Sequence, residues 1–197
     1  MSQSLVLAST SPRRKELLQQ IGVAFTQLSI DINEDVALAE EPEQYVLRLA
    51  KEKAAAGFGL LSTTEKLTKV ILAADTTVVC DGQILAKPES LSHSKEILTK
   101  LSGREHIVMS AVGLHSQDKI LQKVVTTKVR FRNISDAEID AYWHSGEPQD
   151  KAGSYGIQGL GAVFVESITG SYSNVVGLPL CETAQLLNQF NIAFWQL

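Results

Sequence analysis

Leu5-Val6-Leu7-Ala8-Ser9-Thr10-Ser11-Pro12-Arg13-Arg14, running on to Leu17 and Leu18, is the stretch whose reading decides the fold. The first four apolar residues predict a short buried strand. The small polar residues after them predict a tight turn. Pro12 then opens a helix whose apolar face is Leu17, Leu18 and Ile21. Ser11 suits the N-cap, with its hydroxyl accepting from a free backbone N–H. Pro12 suits the first helical position, where no N–H is needed, and Gly22 suits the far end. Such a turn directs open N–H groups and a positive dipole end at one point, which is an anion site. Arg13 and Arg14 add two guanidinium forks that match phosphate oxygens. Alone, the pair is an ordinary solvated feature of a surface helix. But two cations in a first turn oppose the helix dipole, and a bound phosphate removes that conflict.

Outward from this stretch, the pattern alternates strands and helices. Val23 to Ile32 reads as a second strand running into the acidic cluster Asp31-Ile32-Asn33-Glu34-Asp35, either a cation site or a solvated loop. Pro42 to Gly57 reads as a helix with Val46, Leu49, Ala50, Lys53 and Ala54 on one face. Lys53 on that stripe either snorkels or carries its ammonium into a cleft. Lys69 to Cys80 is the strongest strand, since Val70-Ile71-Leu72-Ala73-Ala74 suits a central position covered on both faces. Asp75-Thr76-Thr77 interrupts that run. A carboxylate there either caps a strand end or answers a metal ion or polar substrate, because burying it alone is costly.

Asp81-Gly82 signals a hairpin, with Gln83 to Ala86 returning and Pro88 ending the pairing. That return brings Lys87 back towards the level of Asp75. His93 to Leu101 reads as a helix closed by Gly103. Ile107 to Leu114 and Ile120 to Phe131 read as long strands, and Ser135 to Glu138 as a capping box opening a helix through Trp143. Gly146 to Pro179 is rich in glycine and turns. Four glycines between Gly153 and Gly161 suggest a backbone that approaches a ligand closely, without the spacing of a dinucleotide fingerprint. Val163 to Val165 reads as a strand, Asn174 to Pro179 as a loop, and Leu180 to Phe190 as a last helix.

The 197 residues are enough for a sizeable core, with 44% apolar and 20% charged residues. We read them as a single domain spanning 1–197. A formal net charge of −4 argues against nucleic acid as a partner. No apolar run is long enough to span a bilayer. The first residues carry no basic-then-apolar export pattern. Cys80 and Cys181 have no metal-type spacing and read as reduced core residues. Together these predict a cytoplasmic protein.

The ordered set of these motifs resembles the Maf family of nucleoside triphosphate pyrophosphatases over nearly the whole chain. It comprises Leu7 to Arg14, Lys53-Ala54, Ala74-Asp75-Thr76, Leu85 to Pro88, Leu101-Ser102-Gly103, Asp150 to Gly153, Tyr155 to Gly161 and Asn174 to Pro179. The resemblance implies an α/β fold, with a mixed curved sheet and flanking helices in two lobes around a deep nucleotide-binding cleft. It implies a cytoplasmic enzyme, often dimeric, that needs a divalent cation (magnesium or manganese) and cleaves a nucleoside triphosphate to the monophosphate and pyrophosphate. The Tyr155-Gly156-Ile157-Gln158-Gly159 loop resembles the branch acting on dTTP and UTP. The sister branch, acting on 7-methyl-GTP, has an acidic residue at the position of Gln158.

Carried over residue by residue, the resemblance makes Ser9, Arg13, Arg14, Lys53, Thr76 and Lys87 the substrate-binding set. Asp75 matches the family's proton acceptor; chemically it either orients water directly or holds the metal that acidifies it. Glu34 is the second carboxylate placed near that metal, and either of the two can be the general base with the other as ligand. The choice of base falls to Gln158. Its amide offers one donor and one acceptor, the complement of the O4 and N3–H edge of uracil and thymine. Cytosine reverses that edge, so discrimination requires a locked amide, with Tyr155 and the loop backbone as the groups to lock it. Rival readings are a pyrophosphatase for another nucleotide and a nucleotide-binding regulator of cell division with little turnover.

Overall fold

Leu5, Leu7, Leu18, Ile71 and Leu72 are all fully or almost fully buried, so the opening stretch and the long apolar run form one core. A computed structural model describes residues 3–196. In chain order the regular elements are β1 (Ser4–Ala8), α1 (Pro12–Gln20), β2 (Phe25–Leu28), α2 (Pro42–Gly59), α3 (Thr63–Lys66), β3 (Lys69–Cys80), β4 (Gln83–Leu85), α4 (Leu91–Leu101), β5 (Glu105–His115), β6 (Ile120–Phe131), α5 (Asp136–His144), β7 (Val165–Thr169), α6 (Tyr172–Val176) and α7 (Leu180–Gln189). The fold is mixed α/β, a seven-stranded open sheet with flanking helices. The strand order is β2-β1-β3-β5-β6-β7, with β4 paired to β3 outside that path. β1 pairs in parallel with both β2 and β3, while β3–β4 and β6–β7 are antiparallel. Among the described residues no helix is long and apolar enough to cross a membrane.

The chain divides into two compact units. The first holds the residues up to Asp75, Ser110–Val125, and those from Gly177 on; the second holds Thr76–Met109 and Thr126–Val176.

In the first unit α2 lies unusually close to the sheet. A Cβ on Gly57 would sit 3.0 Å from Ile71 Cγ2 and 3.2 Å from the Ala8 Cβ. One on Gly113 would meet the Ala50 carbonyl at 3.4 Å. Ala50, Ala54 and Gly57, spaced at helical intervals, make this close approach possible. A small cluster of Val6, Ala8, Ala54, Ile71 and Ala73 fills the contact.

In the second unit, Asp81 and Gly82 both take positive φ (53° and 74°), as the hairpin between β3 and β4 requires. Ser135 accepts from the Glu138 N–H and the Glu138 side chain accepts from Ser135, completing the predicted capping box on α5. A core of rings joins Phe131, Tyr155, Phe164, Tyr142 and His106.

Several expectations are corrected. The second strand is only Phe25–Leu28, since the acidic segment that follows is irregular. The strand read over Lys69 to Cys80 is β3 with those bounds, but Asp75 lies within it rather than capping its end. The segment read as a strand at Val163 to Val165 is a 3-10 turn, Leu160–Phe164, with β7 starting only at Val165. Val163 is exposed, so its apolar side chain is not evidence of a core strand. Asn174 lies in the short helix α6 rather than in a loop. Cys80 is buried and Cys181 exposed, and both are free thiols.

Two glycines of α2 separate packing from propensity. Alanine is the better helix former by about 1 kcal/mol. At Gly59 nothing lies within 4 Å of a new methyl, so Gly59→Ala is expected to be neutral or stabilising. At Gly57 the methyl meets two buried neighbours, and overpacking of this kind costs about 1–3 kcal/mol. Gly57→Ala is expected to destabilise, by about 1 kcal/mol in urea unfolding. A stabilised Gly57→Ala variant would show that α2 has room to move.

Candidate active site

β1 ends at Ala8, and the turn into α1 is organised by Ser9 rather than by Ser11. The Ser11 side chain makes no cap hydrogen bond. Instead the Ser11 N–H donates to Ser9 Oγ at 3.2 Å, and Arg14 Nη1 donates to the same hydroxyl at 3.4 Å. Gln27, on the neighbouring β2, donates to the Ser9 carbonyl at 3.1 Å. Arg14 Nε donates to the Gly177 carbonyl at 2.9 Å, which fixes the guanidinium plane. Burial lowers the Arg14 pKa; the Asp75 charge opposes that, Arg13 adds to it, and Glu34 opposes it again. Two guanidiniums and two carboxylates therefore act on one another within this unit.

The strongest contact in that group is Lys53. Its Nζ donates to Asp75 Oδ1 at 2.6 Å and lies 2.6 Å from Glu34 Oε1. Lys53 is 9% exposed and Asp75 7%, so both charges have left bulk water. Each is tolerable only because the other is there. The same close approach of α2 that Gly57 permits brings Lys53 to the last residue β3 gives to this unit. Of the two readings of Lys53, the structure shows the inward one.

Glu34 is exposed but held. Tyr45 Oη donates to the Glu34 carbonyl at 2.9 Å. Burial, with the charges of Asp75 and Glu34 adding to it, pushes the Tyr45 hydroxyl up to about 12. Arg48 donates to the Asp35 carbonyl at 2.9 Å and to both Glu40 oxygens at 2.6 and 2.8 Å. The acidic segment is thus tied to α2 at two points. Sequence reasoning missed Gln27, Tyr45 and Arg48. Tyr45, Arg48 and Glu52 recur at helical spacing on α2, a polar stripe that was readable but had no visible partner.

Among the described residues no group of three or more histidine, cysteine or acidic side chains is placed to hold a metal ion by itself. Two carboxylates converging on one point do fit a hard divalent cation that keeps most of its ligands from substrate phosphates and water.

The remaining expected residues belong to the second unit. Thr76 follows Asp75 on β3 and is half-buried. Lys87 is exposed, two residues beyond β4, and its neighbour Ala86 accepts from the Gly153 N–H at 3.2 Å. Gln158 is exposed within the turn between Gly156 and Gly159. Tyr155 does not lock its amide: the Tyr155 hydroxyl lies 2.9 Å from His106 Nε2, inside the ring core. Nor do the loop glycines leave space only for a ligand. A Cβ on Gly159 would overlap the Glu147 carboxylate, one on Gly161 would lie 2.6 Å from Tyr142 Oη, and one on Gly156 2.8 Å from Lys151 Cε. Glu147 and Tyr142 are functional candidates that the sequence did not reveal.

These observations define a mixed α/β protein with a cationic, carboxylate-bearing turn at the end of its first strand. A family model described as Maf-like protein matches residues 4–190, and the chain belongs to the Maf family. It is 54% identical over 186 residues to a dTTP/UTP pyrophosphatase of Vibrio vulnificus (strain YJ016), covering 94% of this chain and 98% of that protein. It is 52% identical over 186 residues to a dTTP/UTP pyrophosphatase of Colwellia psychrerythraea (strain 34H / ATCC BAA-681), covering 94% of this chain and 88% of that one. A dTTP/UTP pyrophosphatase of Vibrio parahaemolyticus (serotype O3:K6, strain RIMD 2210633) is 54% identical over 189 residues, 96% of this chain and 98% of that one.

His106 gives the ring core beneath the loop a pH signature. Burial pushes its pKa down to about 4, against about 6.5 in an unfolded chain. Between those values the unfolded chain binds a proton that the folded one does not, so stability falls as pH falls. The loss begins near pH 6.5, is complete below pH 4, and amounts to about 3 kcal/mol. In urea unfolding at a series of pH values, His106→Phe is expected to flatten this window by up to about 1.4 kcal/mol per pH unit. An unchanged slope would mean that His106 is already charged in the fold.

Proposed function

We propose that this chain is a nucleoside triphosphate pyrophosphatase that hydrolyses dTTP and UTP to the monophosphate and pyrophosphate, limiting unwanted or modified nucleotides. The observation that carries the reading is the grouping of Arg13, Arg14 and Lys53 with Asp75 and Glu34 at the turn after β1. Pure anion binding gains nothing from two carboxylates placed among the cations. The names of the relatives above support the same substrate pair, and a cytoplasmic enzyme with no nucleic-acid or membrane partner accords with the composition.

In this reading Ser9, Arg13, Arg14 and the turn N–H groups take the phosphate oxygens, as charge-assisted donors. Thr76 and Lys87 are further polar contacts to the nucleotide. Asp75 and Glu34 hold a divalent cation, magnesium or manganese, which when bound would neutralise phosphate charge and acidify water. Lys53 keeps the two carboxylates together before substrate arrives. Water forms the new bond to the α-phosphorus as its proton passes to Asp75. The bond to the β-phosphate bridging oxygen breaks, and pyrophosphate leaves with the electron pair. The guanidiniums stabilise the charge that develops on the departing group. Gln158 reads the base through its amide.

The experiment supplies dTTP and magnesium or manganese and separates pyrophosphate from phosphate. The wild type is expected to release pyrophosphate and thymidine monophosphate in one step. Asp75→Asn keeps shape and removes the proton acceptor, so turnover is expected to fall by about two orders of magnitude or more, with nucleotide binding retained by calorimetry. Stepwise release of phosphate, or a near-native Asp75→Asn, would contradict the reading. Tight binding without turnover in the wild type would replace it with a nucleotide-binding regulator.

A further inference from the structure

The loop that carries Gln158 has few hydrogen bonds of its own. Within it the Gly159 N–H reaches the Gly156 carbonyl at 3.4 Å, and the Ala162 N–H reaches the Gly159 carbonyl at 3.1 Å. Its main anchor is instead the side chain of Glu147. Glu147 Oε2 accepts from the Leu160 N–H at 2.7 Å, and Oε1 accepts from the Gly161 N–H at 3.0 Å. Tyr142 Oη donates to Oε1 at 2.7 Å and accepts from the Gly156 N–H at 3.0 Å. One carboxylate and one phenol therefore hold the backbone on both sides of Gln158.

The seat for this anchor is rigid. Tyr142 stands on α5, with its ring edge-on to Phe164 at 5.1 Å. Gly146 takes a φ of 78° and turns the chain back, so that Glu147 opens the next 3-10 turn. The Glu147 N–H donates to Ser145 Oγ at 3.2 Å. Gly159 and Gly161 lack side chains where Glu147 and Tyr142 press against them. The glycine spacing and the carboxylate thus form one device. Only an ionised carboxylate can accept on both oxygens, since a glutamine would turn its NH2 towards a backbone N–H.

We propose that Glu147, braced by Tyr142, is the positioning residue for base selection: its carboxylate sets the backbone path from Gly156 to Gly161 and so aims the amide of Gln158. The proposal rests on the reading of Gln158 given under the proposed function. It answers what holds that amide in one orientation, since Tyr155 is engaged by His106. A loosened loop lets the amide flip, and a flipped amide suits cytosine. Phosphate handling involves none of these residues, so selectivity should fail before turnover does.

The test is kcat/KM for dTTP, UTP, CTP and GTP with the full-length wild type, Glu147→Gln, Tyr142→Phe and Gln158→Glu. A thermal melt of each accompanies it. Glu147→Gln is expected to lower the dTTP-to-CTP ratio about tenfold, the scale of one misplaced polar contact. Most of the change should fall in KM, with pyrophosphate still the product. Tyr142→Phe keeps the ring and removes one anchor, so a smaller loss of ratio is expected; it carries the test if Glu147→Gln does not fold. If Gln158→Glu changes the ranking but neither anchor variant does, or if the anchors lower all four nucleotides alike, the proposal is overturned and the reading of Gln158 stands. If Gln158→Glu leaves the ranking intact, the reading of Gln158 fails and the proposal fails with it.

Discussion

The ammonium of Lys53, 2.6 Å from an oxygen of Asp75 and 2.6 Å from one of Glu34, is the contact on which the site depends. Asp75 follows five buried apolar residues on β3, so its charge has no solvent to turn to. Glu34 sits on an irregular segment whose backbone Tyr45 and Arg48 tie to α2, which leaves the direction of its carboxylate to be set. Lys53 resolves both problems, and it reaches them only because α2 presses onto the sheet through Ala50, Ala54 and Gly57. Coulomb attraction at this distance is strong when screening is weak. It therefore sets the direction of both carboxylates before any ligand arrives. With Arg13 and Arg14 included, three cations face two anions, and the excess positive charge suits a phosphate chain.

The parts of the fold legible in the sequence were those written in local chemistry. β3 was readable because its apolar run is continuous, and the β3–β4 turn because Asp81-Gly82 is a hairpin pair. The capping boxes were equally legible, although Ser62 to Glu65, which caps α3, went unread. What failed was decided by distant partners. Val163 looked like a strand residue, yet lies exposed in a 3-10 turn. Ser11 does occupy the N-cap of α1, but its side chain makes no cap hydrogen bond, and Ser9 gathers the polar contacts of the turn instead. Tyr155 looked like a partner for Gln158, and its hydroxyl instead meets His106 on β5.

The site shows the same division. Arg13, Arg14, Asp75 and Lys53 stand out because each breaks a local rule: cations in a first helical turn, a carboxylate at the end of an apolar run, an ammonium on a small-residue stripe. Tyr45, Arg48, Tyr142 and Glu147 break none. They act on backbone groups far along the chain, and no spacing announces them. The glycines of the loop are the instructive case. Their number suggested a ligand pressed against bare backbone, whereas Gly159 and Gly161 face side chains of the protein itself. A glycine-rich segment tells that something comes close, not what it is.

The contact of Lys53 with Asp75 makes the two residues energetically one unit, and that coupling is measurable. A double-mutant cycle in urea unfolding tests it directly, using Lys53→Met, Asp75→Asn and the pair together. Removing Lys53 alone leaves a buried carboxylate uncompensated and should cost about 2 kcal/mol or more. Removing both charges should restore most of that loss, giving a coupling of about 2 kcal/mol between the sites. Two losses that simply add would contradict the account, because Lys53 would then be no more than a neighbour of Asp75.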